Sequence, residues 1–106
     1  MSIFNLFSRK DINDGVEQYR KEDNAVLLDV RTEEEFSEGH IEGSLNLPIG
    51  EIDRAAVLIT DKSTPIYVYC RSGNRSARAT AYLKGNGYAS EHDIGGILSY
   101  NGKIFK

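Results

Sequence analysis

Hydrophobic and polar positions along the chain switch repeatedly between a helical and an extended period. Ser8-Arg9-Lys10-Asp11 has the form of a capping box, and Ile12, Val16 and Tyr19 then recur at i, i+4 and i+7. This predicts a helix over roughly 9–21, weakened by Gly15 at a cost of about 1 kcal/mol. "AVLLDV" (25–30) follows, a near-continuous apolar run of strand length, as expected for a strand covered on both faces. Thr32-Glu33-Glu34-Glu35 forms a second capping box and opens a short acidic helix that Gly39 ends. A brief strand is predicted around 44–47, stopped by Pro48, and then a helix over 51–58 with Ile52, Ala55, Ala56 and Ile59 on its inner face.

"PIYVYC" (65–70) is the clearest strand, β-branched and aromatic after a proline that suits a strand start. Ser76 to Lys84 reads as helix, ended by Gly85-Asn86-Gly87, with Ala77, Ala79 and Ala81 small enough for close approach to a sheet. A strand near 91–94 and a short helix over 97–101 complete the pattern. Alternating strands and helices define an α/β domain with a parallel sheet and helices on both faces.

Composition narrows the possibilities. The 106 residues correspond to one domain, 1–106. A formal net charge of -3 argues against a general nucleic-acid binder. No apolar stretch reaches membrane-spanning length, and "MSIFNLFSRK" lacks the basic region and cleavage site of a secretory signal. With one cysteine and no internal disulfide, the chain is expected to be cytoplasmic. His40, His92 and the single Cys70 have no metal-ligand spacing, so no metal is expected.

The chemistry centres on "YCRSGNRSAR" (69–78). Ligands bind at the carboxyl ends of strands in open α/β sheets, and Cys70 sits at that end of the strongest strand. Gly73 and Asn74 permit the left-handed dihedrals of a tight curl, which turns successive N–H groups inward at a helix N-terminus. Such a nest, with Arg71 and Arg75 adding positive charge, favours a thiolate. A free thiol of pKa near 8.5 is only a few per cent thiolate at pH 7, and a shift of about 2 units makes thiolate the majority. Cys70 therefore reads as a nucleophile rather than a packing residue.

The segments "LDVRTEEEFSEGHIEGSLNLP" (28–48) and "VYCRSGNRSARATAYL" (68–83), with the late "DIGGILSYNGK", resemble the single-domain rhodanese-like sulfurtransferase family from about Ser8 to Tyr100. The resemblance implies a rhodanese-like, five-stranded parallel sheet with helices on both faces. It also implies a Cys70 persulfide formed from thiosulfate or a persulfide donor. The acceptor would be a small thiol, cyanide or a thioredoxin-like protein. No cofactor is called for. Arg71, Ser72, Gly73, Asn74, Arg75 and Ser76 would bind the donor and the extra sulfur. Asp29 and Arg31, in "DVR", also match the family pattern and are expected to support the structure, Arg31 by pairing with a carboxylate such as Glu35. His40 is expected to lock a turn through ring hydrogen bonds.

A cysteine phosphatase or arsenate reductase is the nearest enzymatic alternative. Its usual loop has His before Cys and five residues before Arg, whereas here Tyr69 precedes Cys70 and four residues separate it from Arg75. A persulfide carrier or partner-binding module is the other alternative.

Overall fold

The computed structural model of the chain describes residues 11–106. The predicted capping box at 8–11 lies largely outside them. Asp11 itself caps the first helix, α1 (Ile12–Lys21), its carboxylate accepting from the Asn13 N–H at 2.9 Å. Ile12 and Val16 are buried, and Gly15 between them has a reason to be there. A Cβ at that position would lie 2.4 Å from Ile94 Cγ2, so only glycine lets α1 settle this close to the sheet.

The sheet comprises β1 (Val26–Asp29), β3 (Ser44–Asn46), β4 (Ile66–Cys70) and β5 (Glu91–Gly96), all parallel, in the order β3-β1-β4-β5. The five parallel strands that the family resemblance implies are therefore four among the described residues. A separate antiparallel pair joins β2 (His40–Ile41) to β6 (Ile104–Phe105), and no periodicity in the sequence foretells either strand.

Side-chain alternation along the strands divides the core in two. Leu27, Tyr67 and Tyr69 point to one face and pack with Ile12, Val16, Ile41 and Ile94. Leu28, Ile66, Val68 and Cys70 point to the other, against Ala55, Ala79, Leu83 and Tyr88. Tyr88 is fixed there by donating its hydroxyl proton towards the Ile59 and Ala55 carbonyls at 2.6 and 3.1 Å.

Helix α2 (Glu33–Glu38) has the predicted reciprocal capping box between Thr32 and Glu35 and ends at Gly39. The helix expected over 51–58 is instead a 3-10 turn (Ile49–Arg54) leading into a single α-turn, α3 (Ala55–Leu58), with non-helical backbone at Glu51. Ala55 and Ile59 are buried as predicted, while Ala56 is exposed. Helix α4 (Asn74–Gly85) begins two residues earlier than Ser76 because Gly73, at φ 110°, serves as its N-cap. Its inner face is Ser76, Ala79, Thr80 and Leu83, spaced i, i+3, i+4, i+7. Ala77 and Ala81 are exposed, because alternate residues do not share a helix face. The final predicted helix is a 3-10 turn at Ile97–Ser99. No helix among the described residues is long and apolar enough to cross a membrane.

Candidate active site

Cys70 is the last residue of β4, and the chain leaves it through Arg71 and Ser72 before Gly73 turns into α4. The Gly73 N–H donates to Cys70 Sγ at 3.0 Å, so the curl does aim its amides at the sulfur. The side chain is buried, with 1% of the residue exposed. Burial is the largest influence on the thiol and pushes its pKa up. The Ser76 hydroxyl and the N–H groups of Ser76, Gly73 and Arg75 together outweigh it, and the thiol titrates below its ordinary value. An anion-favouring field therefore survives in a nearly dry setting, where fixed dipoles act with little screening.

The Gly95-Gly96 pair shapes this loop from the far side. Gly95 adopts φ 100°. A Cβ on Gly96 would fall 2.3 Å from the Arg71 carbonyl oxygen and 2.6 Å from Ser72 Cα. The end of β5 can press against the loop only without a side chain there, and the Leu98 N–H then bonds the Arg71 carbonyl at 3.2 Å.

The two arginines expected to supply free charge differ. Arg75 is engaged by Glu35 of α2 through two hydrogen bonds, 2.7 and 3.0 Å long. The Arg75 contact holds the Glu35 carboxyl down at about 2. Arg71 is exposed and has no ion-pair partner among the described residues. Together with Arg31, Glu35, Gly39, Leu98 and Ile104 it lines an open depression of about 260 Å³. Ser72, on the loop, and Asn74, the first residue of α4, are exposed.

The pairing expected between Arg31 and Glu35 is not present. Arg31 pairs instead with Asp29, its Nη2 2.7 Å from Oδ2 and its Nε 3.1 Å from both carboxylate oxygens. It also donates to the Gly39 carbonyl at 2.7 Å. Asp29 Oδ1 also accepts the Arg31 backbone N–H at 2.9 Å, so the bend after β1 holds the two side chains together. Asp29 thus braces the β1–α2 connection. His40 bonds the Phe36 carbonyl through Nδ1 at 2.9 Å and stacks on the Phe36 ring with centroids 3.8 Å apart. These contacts hold the α2–β2 corner.

Three participants were not foreseen. Glu35 as the partner of Arg75 lies 40 residues away in sequence. Asn46 ties β3 to the Asp29 and Arg31 carbonyls at 3.1 and 2.9 Å. Asp93, from β5, accepts the Ser76 hydroxyl at 2.7 Å. The only sequence signal for Asp93 was an acid within an otherwise strand-like stretch immediately before Ile94-Gly95-Gly96. Among the described residues, no group of three or more His, Cys, Asp or Glu side chains is placed to hold a metal ion.

The parallel α/β sheet holds one thiol in an amide curl at a strand's carboxyl end, an arrangement that favours its charged form. The Rhodanese-like domain family matches residues 13–102, and the chain belongs to that family. It is 34% identical over 71 residues to thiosulfate sulfurtransferase PspE of Escherichia coli, covering 66% of this chain and 68% of that one. It is 38% identical over 96 residues to adenylyltransferase and sulfurtransferase uba4 of Ogataea parapolymorpha, covering 90% of this chain. The chain spans only 25% of that relative, and 32% of a tRNA uridine(34) hydroxylase from Buchnera aphidicola. Among solved structures, a rhodanese with anions from E. coli superposes with a TM-score of 0.72 at 30% identity, covering 77% of this chain and 98% of that one.

Proposed function

We propose that the chain is a sulfurtransferase in which Cys70 carries a sulfane sulfur from thiosulfate or a persulfide donor to a thiol or cyanide. The observation that supports this reading best is the Gly73 N–H held 3.0 Å from Cys70 Sγ at the mouth of α4. The Cys70 thiolate attacks the outer sulfur of thiosulfate. A new S–S bond forms, and the old one breaks with its electron pair leaving on sulfite. The outer sulfur of the persulfide carries the negative charge, and the N–H groups of the loop offset it. Arg71, exposed at the rim, attracts the anionic donor and neutralises charge on the departing sulfite. An acceptor thiolate or cyanide then attacks the outer sulfur, and Cys70 leaves as thiolate, completing a ping-pong cycle.

Access favours a sulfur donor over a phosphate ester. The thiol lies at the floor of a short loop, and a terminal sulfur is a single atom that can approach it end-on. A tetrahedral phosphate needs several oxygens accommodated around the nucleophile.

Intact-protein mass spectrometry after thiosulfate treatment tests the reading. A gain of one sulfur atom, reversed by a reductant and absent in Cys70→Ser, is expected. Turnover retained by Cys70→Ser, or hydrolysis of an aryl phosphate dominating sulfur transfer, overturns it.

A persulfide-carrier role for the same site is favoured by one observation. Leu98 and Ile104 present exposed apolar surface in the depression beside Arg71, which suits a protein surface better than a small anion. Faster loading of Cys70 from a protein persulfide than from thiosulfate selects this version.

A further inference from the structure

Ser76 occupies an unusual position for a buried hydroxyl. Its Oγ lies 2.7 Å from Asp93 Oδ1, 3.1 Å from the Gly73 carbonyl, and 3.5 Å from both the Gly95 carbonyl and Cys70 Sγ. One hydroxyl proton must choose among these acceptors. A carboxylate at the shortest distance wins while the sulfur is uncharged, because hydrogen bonds to charged acceptors are roughly twice as strong as neutral ones. Ser76 then offers only a lone pair towards the thiol.

The fold brings Asp93 here by a local irregularity. The β4–β5 register slips, so that Val68 faces Asp93 but Tyr69 faces Gly95, leaving Ile94 as an extra residue. A bulge of this kind re-aims a side chain, and here it turns the carboxylate towards the first turn of α4. Oδ1 also accepts the Gly95 N–H at 3.0 Å, so that oxygen keeps a donor if the Ser76 proton turns away.

We propose that Asp93 is a positioning residue of the sulfur-transfer cycle, holding the Ser76 hydroxyl proton while Cys70 Sγ is uncharged and yielding it to Sγ when negative charge returns there. The proposal rests on the reading of Cys70 as the sulfur carrier. In the persulfide the inner sulfur is neutral, and the hydroxyl points to Asp93. As the acceptor attacks the outer sulfur, the electron pair of the breaking S–S bond arrives on Cys70 Sγ. The hydroxyl then rotates to donate to it. No O–H bond breaks and no proton is transferred; only the acceptor of the hydrogen bond changes.

Two arginines also stand near the sulfur among the described residues. Arg75 of α4 interacts electrostatically with both Cys70 and Asp29 of β1 and is bonded to Glu35 of α2, while Arg71 follows Cys70 in the loop. Asp93 is the carboxylate that β5 adds. It competes with Cys70 for the hydroxyl, so removing its charge should release the proton to the sulfur.

The pH dependence of Cys70 alkylation by iodoacetamide, measured on the full chain, tests this. Asp93→Asn is expected to lower the midpoint by about one pH unit, a tenfold rise in the thiolate-to-thiol ratio. Ser76→Ala is expected to raise it, since the thiolate loses a donor. In the double variant the Asp93→Asn effect should nearly vanish, because its route through the hydroxyl is gone. An unchanged or higher midpoint in Asp93→Asn overturns the proposal. So does an equal shift with and without Ser76, which would mean a field acting directly across space. If circular dichroism shows that Asp93→Asn fails to fold, Ser76→Ala decides alone: a raised midpoint supports the switch, and a lowered or unchanged one overturns it. The titration needs no sulfur donor. Failure to form a persulfide would therefore defeat the proposed function while leaving the measured switch intact.

Discussion

Replacing Glu35 with glutamine should cost stability and yet improve capture of an anionic donor. The Glu35 carboxylate serves two elements at once. It accepts from the Thr32 N–H at 3.0 Å within α2 and bridges to Arg75 in α4 at 2.7 and 3.0 Å. Glutamine preserves the capping role, since it serves in a capping box as glutamate does. It removes the charge that Arg75 faces. The carboxyl is held at about 2 against an ordinary 4.5, chiefly by the Arg75 hydrogen bonds. A depressed folded-state value means the stabilisation is complete above pH 4.5 and disappears as pH falls towards 2. Unscreened, such a depression corresponds to about 3 kcal/mol at 1.36 kcal/mol per unit. Both side chains remain 26% exposed, so solvent screening brings the expected loss to about 1–2 kcal/mol. Urea unfolding of wild type and Glu35→Gln at pH 7 should show that gap, and the two proteins should converge as pH is lowered through the window. Steady-state kinetics at pH 7 should show a lower KM for thiosulfate in the variant, because the Arg75 charge is no longer offset beside Cys70. A stability gap that is the same at pH 7 and near pH 2.5 would refute the assignment of this ion pair, as would a raised KM.

Two further substitutions probe the supports of the loop. Gly96→Ala inserts a methyl group 2.3 Å from the Arg71 carbonyl oxygen, and overpacking against backbone should cost about 1–3 kcal/mol. Displacing the loop by about 1 Å should also slow Cys70 persulfide formation by up to about a hundredfold; unchanged loading rates would contradict the close approach. Asp29→Asn removes the partner of an arginine that is 6% exposed, and breaking such a buried pair should cost about 3–5 kcal/mol in urea unfolding. A loss below about 1 kcal/mol would show that Arg31 finds another acceptor at little cost.

The parts of the site that were legible in the sequence are those built by neighbouring residues. The run into Cys70 is apolar and β-branched, so a strand ending there followed from composition alone, and Gly73 announced the curl because few other residues take its φ. Thr32 and Glu35 announced α2 for the same local reason. Partnerships across the fold were not legible. Arg31 stands just before α2, and Glu35 on that helix read as a carboxylate partner for it. Arg31, however, precedes the helix at the bend after β1, where the Asp29 carboxylate accepts from both its backbone N–H and its guanidinium. Glu35 was then free for Arg75, a match made only when α2 and α4 meet above the sheet edge. The strands β2 and β6 were invisible because two residues carry no period. Gly15 was read as a weakness in α1, whereas the packing against Ile94 makes it a requirement.

These corrections change how the site handles charge. With Arg75 committed to Glu35, its positive charge is offset by a nearby negative one, and the groups that favour the charged form of Cys70 are oriented dipoles, the Ser76 hydroxyl and the loop N–H groups. Dipoles fixed by a glycine turn and the first turn of a helix are directional and need no rearrangement as charge arrives. They suit a single anionic sulfur that appears, extends by one atom and reappears at nearly the same point. In the proposed cycle the oxygens of a donor such as thiosulfate would lie farther out, towards the exposed Arg71. The proposed function would then give the loop and the rim separate tasks: the amides would serve the sulfur that stays with the protein, and Arg71 the group that leaves. In the proposed switch the Ser76 hydroxyl would belong to the first task, since a hydroxyl, unlike the backbone N–H groups of Gly73, Arg75 and Ser76, can turn away when the charge does.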